Sequence, residues 1–159
     1  MLTVRIIAVG SLKEAYLREA VAEYRKRLGG FCRVEEVSIK ESRLPDNPSA
    51  QEIASALHEE GRQILSAMPP RAYRIAMCVE GKQLSSEQLA EKLETASQTA
   101  SEVDFVIGSS FGLSDEVKAA ADLRLSVSAL TFPHQLMRVI LYEAVYRAMN
   151  IQRGTRYHK

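Results

Sequence analysis

Apolar and polar positions along the chain switch between a period typical of strands and one typical of helices. Residues Leu2 to Val9 form a strand pattern whose end is apolar on both faces, as in a strand inside a parallel sheet. Ser11 and Glu14 then have the spacing of a capping box, and apolar residues repeat at helical spacing as far as Gly29. The chain therefore begins with a predicted strand and a predicted helix.

The middle of the chain repeats this alternation. Strands are predicted at 31–39, which has the character of an edge strand, at 72–79 and at 103–107. Helices are predicted from the capping-box pairs Ser49 with Glu52 and Ser85 with Gln88, the first ending before Pro69, and a short helix is predicted to begin near Asp115. Residues 80–82 are predicted to form a turn, and residues 40–48 to form a loop.

The stretch from 125 to 149 combines a strand, a ligand-sized gap and a long helix. Alternation over 125–130 predicts a strand with small residues at its end, Thr131 suits a helix cap, and Pro133 suits the first helical turn. The helix that follows is apolar around more than one face. Because one core covers only one face of a helix, a symmetric partner is expected, and we predict a homodimer.

Strands alternating with helices predict an α/β fold with a largely parallel sheet and helices on both faces. A chain of 159 residues with 46% hydrophobic residues suits a single domain spanning 1–159. Ligands of such sheets bind beyond the carboxyl ends of the strands. Three strand ends, 77–81, 108–112 and 127–132, are expected to assemble one site.

Composition and cysteine usage narrow the protein class. No apolar run approaches the roughly 20 residues of a membrane-spanning helix, and no cleavable signal is recognisable, so a cytoplasmic protein without membrane contact is expected. Cys32 and Cys78 lie far in sequence from each other and from the three histidines. They indicate neither a disulfide framework nor a metal site, and both are interpreted as small core residues.

The net charge of +1 conceals a basic C-terminal segment. From Arg138 onward the chain has five cations and one carboxylate, which leaves the remainder mildly acidic. Such a segment is typical of an edge that meets a polyanion, although cations also favour the end of a solvated helix. The last three residues, Tyr157 to Lys159, offer an aromatic ring, an imidazole and a cation suited to an RNA base and phosphate, or else a frayed terminus.

Several familiar chemistries are not indicated. The loop Gly108 to Gly112 follows a strand, but it is neither a GxGxxG fingerprint nor a P-loop, which disfavours conventional dinucleotide or ATP binding. No Ser/His/Asp or Cys/His arrangement can be defended, so hydrolysis is not indicated. His134, in the first turn of the last helix, is interpreted as a structural residue bonded to nearby backbone.

Four segments together resemble one family over essentially the whole chain. These are residues 1–10 with Leu12-Lys13, the loop IGSSFG, the run LSVSALTFPHQLMRVILYEAVYRA and the terminal YHK. They closely resemble the RlmH family of the SPOUT methyltransferase superfamily. The resemblance implies an α/β fold with a C-terminal trefoil knot and a homodimer. It also implies an S-adenosylmethionine-dependent enzyme that methylates N3 of a pseudouridine in a 23S ribosomal RNA stem-loop of the assembled ribosome.

The resemblance carries site residues onto this sequence position by position. The implied cofactor-binding residues are Met77, Gly108, Val127, Ser128, Ala129, Leu130, Thr131 and Phe132. His158 and Arg153 are candidates for the base or stabilising cation at N3, Tyr157 for stacking on a base, and Arg138, Arg156 and Lys159 for contacts with RNA. No metal is implied.

This chain departs from the family pattern at two positions. Met77-Cys78 stands where the family has leucine followed by an acidic residue, and Ser109 stands where it has a second glycine. Methionine preserves an apolar wall for the adenine ring. Ser109 adds a side chain to the loop.

Two alternatives remain open from the sequence. One is a non-enzymatic ribosome-binding or assembly factor on the same fold, and the other is a flavodoxin-like nucleotide-binding module. Saturable binding of S-adenosylmethionine would separate the enzyme from both, and the colour of a bound flavin would identify the module.

Overall fold

The computed structural model describes residues 1–158. It has a five-stranded parallel sheet between two layers of helices. The strands are β1 Thr3–Val9, β2 Arg33–Ile39, β3 Tyr73–Gln83, β4 Glu102–Ile107 and β5 Leu123–Ser126. The helices are α1 Ala15–Leu28, α2 Ala50–Ala67, α3 Ser86–Ser97, α4 Asp115–Ala120 and α5 His134–Arg153. The strand order is β2-β1-β4-β3-β5, and every neighbouring pair is parallel. The predicted α/β class is confirmed.

Each face of the sheet carries its own apolar core. Alternate residues of β1 divide between them: Val4 and Ile6 pack with α1, α3 and α5, while Ile7 and Val9 pack with α2 and α4. This division explains why the end of β1 is apolar on both faces. The helix layer of α1, α3 and α5 brings the C-terminal part of the chain against the first strand.

Two of the three predicted capping boxes are confirmed. Ser49 with Glu52 and Ser85 with Gln88 both form complete capping boxes, and α2 ends before Pro69 as predicted. The strand beginning near Phe31 is an edge strand, because β2 pairs only with β1 in the order of the sheet.

The predicted caps of two helices are wrong. Ser11 and Glu14 form no capping box: the N-cap of α1 is Glu14, without a side-chain cap. Ser11 lies instead in a loop. In the residues that follow it, the carbonyl of Leu12 accepts from Arg18 of α1, and the N–H of Lys13 donates to Gln135 of α5. Helix α5 begins after Pro133, whose carbonyl accepts the first helical bond, so Thr131 lies two residues outside the helix and does not cap it.

Two strand boundaries also differ from prediction. Strand β5 ends at Ser126 rather than near residue 130, because Ser126 donates to the carbonyl of Ser128, whose hydroxyl accepts from the N–H of Leu130. The predicted turn at 80–82 lies inside β3, which shifts its register with β5 there. Gly81 permits this close approach, because a Cβ would lie 2.8 Å from the nitrogen of Leu125.

The strand order does not by itself establish the trefoil knot, which stays a prediction. No helix within residues 1–158 is long and apolar enough to span a membrane.

Candidate functional site at the carboxyl edge of the sheet

A cavity of about 710 Å³ lies where the ends of β3, β4 and β5 meet the first turn of α5. Its size and mainly apolar lining are typical of a site for a drug-sized ligand. All three predicted strand ends contribute to it. The lining consists of Met77, Cys78, Val79, Glu80, Ile107, Gly108, Ser109, Ser110, Phe111, Gly112, Leu113, Lys118, Leu125, Ser126, Val127, Ser128, Leu130, Thr131, Phe132, Pro133, His134 and Met137.

The loop after β4 closes tightly on itself at the cavity wall. The N–H of Gly112 donates to the carbonyl of Ser109 at 2.9 Å, and these two residues also form an isolated bridge. A Cβ on Gly108 would collide with the carbonyl oxygen of Gly112. Gly108 therefore cannot carry a side chain without opening the loop, which leaves backbone exposed to a ligand.

The two departures from the family pattern affect the cavity differently. The Ser109 side chain is folded into its own loop, where its hydroxyl accepts from the N–H of Phe111 at 3.3 Å. Cys78 is not the core residue that was predicted, because it is half-buried and lines the cavity. Burial raises the pKa of its thiol, and nearby Glu80 raises it further, so the apolar thiol form prevails. Cys32, by contrast, is fully buried.

The segment from Val127 to Phe132 is an irregular loop rather than strand. Of the six implied cofactor-binding residues in it, all but Ala129 line the cavity. The loop is held by the serine hydrogen bonds that end β5, while Leu130 is 71% exposed at its tip. Backbone groups of this loop are thus available to a ligand, on a fixed support.

Charged residues are few at the cavity. The Lys118 ammonium forms an ion pair with Glu80 at 2.5 Å, and the pairing lowers the pKa of the Glu80 carboxyl. His134 is half-buried and lines the cavity mouth. No hydrogen bond of its ring is found within residues 1–158, so its interpretation as a backbone-bonded structural residue has no support.

The C-terminal tail is docked on α3 and α5, outside the cavity. The Tyr157 hydroxyl donates to the carboxylate of Glu143 at 2.8 Å, and the Tyr157 ring lies edge-on to Tyr146. The Nε2 atom of His158 lies 2.7 Å from a Glu87 carboxylate oxygen. Burial and Glu143 raise the pKa of Tyr157 to about 12, so this phenol stays protonated at neutral pH.

The predicted cationic residues take different places. The Arg153 guanidinium lies 4.4 Å from the centre of the Phe31 ring, and Arg156 is exposed. Arg138 is only 5% exposed and donates to the carbonyl of Gly10, so its burial argues against the predicted contact with RNA. Lys159 lies outside the described residues. None of residues 153–158 lines the cavity.

Sequence reasoning missed several lining residues. Lys118 and Met137 reach the cavity from α4 and α5. Met137 follows His134 by three residues, a helical spacing that shows it shares the face of α5 at the cavity. Nothing in the sequence indicates that Lys118 faces the end of β3, because that depends on how α4 packs.

Within the described part of the chain, residues 1–158, no group of three His, Cys, Asp or Glu residues could hold a metal ion. The residues that line the cavity include three with sulfur atoms, several with hydroxyl groups and one ion pair.

Comparisons with known proteins show which proteins this chain is similar to. A family model described as "Predicted SPOUT methyltransferase" matches residues 2–158. Ribosomal RNA large subunit methyltransferase H of Streptococcus thermophilus is 48% identical over 157 residues, covering 98% of this chain and 99% of the relative. Proteins of the same name from Bacillus pumilus and Clostridioides difficile are 45% and 43% identical, each covering 99% of this chain and 100% of the relative.

Proposed function

Because the chain belongs to the family of SPOUT methyltransferases, we propose that it methylates N3 of a pseudouridine in 23S ribosomal RNA, with S-adenosylmethionine as the methyl donor. Proteins named as methyltransferases of large-subunit ribosomal RNA are 43% to 48% identical to this chain over nearly its full length, which supports this substrate. The observation that carries the proposal is the cavity at the three strand ends, walled by Gly108 and the 127–132 loop. The flavodoxin-like alternative finds no support among these relatives.

The cavity suits S-adenosylmethionine in both shape and chemistry. Met77, Ile107 and Phe132 provide an apolar surface for the adenine ring, and the close approach at Gly108 leaves backbone groups to bond its polar edge. Ser126 and Val127 also line the wall, and the Ser126 hydroxyl donates to the carbonyl of Ser128. The cofactor supplies a methyl group on a sulfonium, which is transferred to N3 as the N3 proton departs.

The residues of the chain have two roles: to align the reacting groups, and to assist removal of the N3 proton. Residues around Gly108 and Thr131 would hold the methyl donor, and their contribution would be to orient it toward N3. A base must accept the N3 proton, or a cation must stabilise the charge that develops. We assign these roles to His158 and Arg153. Tyr157, whose raised pKa keeps it protonated, is assigned to stacking on a base.

We propose a homodimer in which the tail of each chain serves the cavity of its partner. Two observations support it: the described tail docks away from its own cavity, and large apolar side chains remain exposed around the cavity mouth. Val79 is 62% exposed, Phe111 45%, Leu130 71% and Leu136 38%. An apolar rim of this kind is typical of a surface that meets a partner.

The proposed setting is the cytoplasm, on the assembled ribosome, without metal or membrane. Arg156 and Lys159 are the proposed tail contacts to ribosomal RNA phosphates. The exposed position of Arg156 supports this role.

Methyl transfer tests the function directly. Ribosomes from a strain lacking the modification would be incubated with the protein and S-adenosylmethionine carrying a labelled methyl group, and the modified nucleotide mapped by mass spectrometry. We expect about one methyl group per ribosome at N3 of one pseudouridine. Binding to ribosomes with neither binding of S-adenosylmethionine nor methyl transfer would contradict the proposal and favour a non-enzymatic ribosome-binding factor.

A further inference from the structure

The loop between β1 and α1 is fixed beside the cavity by side chains of α5. The Arg138 guanidinium donates to the carbonyl of Gly10 at 3.1 Å, and the N–H of Lys13 donates to the Gln135 side-chain oxygen at 3.1 Å. These bonds join segments 128 and 122 positions apart in the sequence. We call residues 10–13 the β1–α1 loop. It leaves the carboxyl end of β1, at the same sheet edge as the cavity.

Arg138 is committed to this loop rather than to solvent or to a carboxylate. Arg138 is only 5% exposed. None of the ion pairs found within residues 1–158 includes it. Burial lowers the pKa of its guanidinium. An arginine buried without an ion-pair partner is costly, so its bond to Gly10 has a specific structural purpose. Gly10 adopts φ +86°, a conformation that other residues rarely take.

Lys13 is held by its backbone while its side chain extends into solvent. Besides the N–H bond to Gln135, its carbonyl accepts from the Arg18 guanidinium at 2.8 Å, and the carbonyl of Leu12 accepts from the same group. Lys13 is exposed and takes part in none of the ion pairs found in the described chain. Gln135 directly follows His134, which lines the cavity mouth. The ammonium group is therefore displayed next to the mouth on a rigid support.

The lysine that lines the cavity is already neutralised. Lys118 lines the cavity but is paired with Glu80. An RNA base that enters the cavity brings its own phosphates to the mouth, where the ammonium group of a lysine on a fixed loop can bind one of them.

We propose that Lys13 binds an RNA phosphate next to the target nucleotide, and that Arg138 and Gln135 are positioning residues that hold its loop for this contact. The proposal rests on the proposed function, since it names a substrate contact at the same site. It also gives Arg138 a role that agrees with its burial.

The contact is tested by measuring how tightly the protein binds ribosomes that lack the modification, across a range of salt concentrations. Lys13→Ala is expected to weaken binding about fivefold at 0.15 M salt and to reduce the slope of log K against log salt by about 0.7 to 0.9, the effect of one phosphate contact. Lys13→Arg is expected to restore both values. The affinity for S-adenosylmethionine, measured by calorimetry, should not change. Lys26→Ala, at an exposed lysine near the far end of α1, is the matched control.

A double-mutant cycle tests the positioning role. Arg138→Met should weaken ribosome binding when Lys13 is present and have little further effect in a Lys13→Ala background. If Arg138→Met does not fold, Gln135→Ala serves instead, because it removes the bond from Gln135 to the Lys13 N–H. Its effect on ribosome binding should likewise depend on the presence of Lys13. Additive losses would overturn the positioning role.

The outcomes separate this proposal from the proposed function. An unchanged salt slope in Lys13→Ala, with a wild-type protein that methylates ribosomes, would overturn the Lys13 contact alone. A wild-type protein that binds ribosomes but neither binds nor uses S-adenosylmethionine would overturn the proposed function, while the salt slopes would still decide the contact.

Discussion

Tyr157 donates its phenolic hydrogen to Glu143, 14 positions earlier in the same chain, at 2.8 Å. The same carboxylate pairs with Arg147, whose guanidinium lies 4.8 Å from the centre of the Tyr157 ring. The carboxylate of Glu143 on α5 therefore binds both Tyr157 and Arg147, and this anchors the C-terminal tail on the helix. This anchor decides where His158 is presented.

Removing the anchor should loosen the tail. Glu143→Ala leaves Tyr157 and Arg147 without their common acceptor, so trypsin should cleave after Arg153 and Arg156 several-fold faster than in the wild-type protein. Glu94→Ala, on the exposed side of α3, serves as the control. Equal cleavage rates in Glu143→Ala and the wild-type protein would show that the anchor does not hold the tail.

Gly108 should be indispensable for cofactor binding. In Gly108→Ala the added Cβ collides with the Gly112 carbonyl, so the loop must open and the affinity for S-adenosylmethionine should fall at least tenfold. Calorimetry measures this loss. Gly30→Ala is the matched control, because no atom lies within 4 Å of a Cβ built there. Unchanged affinity in Gly108→Ala would place the cofactor elsewhere.

His158 should matter for transfer and not for cofactor binding. Loss of a general base or its equivalent lowers turnover by about 100-fold, so His158→Ala should reduce methyl transfer to ribosomes by that order while the affinity for S-adenosylmethionine stays the same. His58→Ala changes an exposed histidine on α2 and should leave both unchanged. Comparable losses of turnover and cofactor affinity in His158→Ala would argue against its action on the RNA side.

A buried carboxyl group should make stability depend on pH. Glu35, Arg5, Asp104 and Arg74 stand in register across four strands, and Asp104 is fully buried with neither carboxylate oxygen hydrogen-bonded within the described chain. Burial, opposed in part by Arg5 and Arg74, raises the pKa of Asp104 to about 7. Because this folded-state pKa lies above that of the unfolded chain, stability is greatest at acid pH and is lost as the pH rises toward 7.

Asp104→Asn removes that titration. Between pH 5 and pH 8 the free energy of unfolding of the wild-type protein should fall by about 2 to 3 kcal/mol relative to that of the variant. Urea denaturation at both pH values measures the difference. A constant difference between the two proteins across this range would mean that Asp104 is already ionised at pH 5.

The fold class and the place of the site follow from patterns that depend on nearby residues. A capping box such as Ser49 with Glu52 depends only on two residues of the same helical turn. The three strand ends meet because parallel strands bring their carboxyl ends to one edge, whatever their order in the sheet.

Two of the wrong predictions involve contacts between segments distant in the sequence. Ser11 fails as a cap because Gln135, far along the chain, bonds the loop that follows it. Arg138 looks like a surface cation, yet α5 packs with this side chain inward to bond Gly10. Neither contact leaves a periodic signal, so only the packed structure could reveal it.

Subunit complementation tests the central claim, that each site of an RNA methyltransferase dimer joins the cavity of one chain to the tail of the other. Gly108→Ala and His158→Ala chains with different affinity tags would be co-expressed, the doubly tagged heterodimer purified, and labelled methyl transfer to unmodified ribosomes measured. Each heterodimer then contains one doubly damaged site and one intact site, so we predict about half of the wild-type activity per dimer. Activity no higher than that of either homodimer, or failure to obtain a doubly tagged species, would contradict the account.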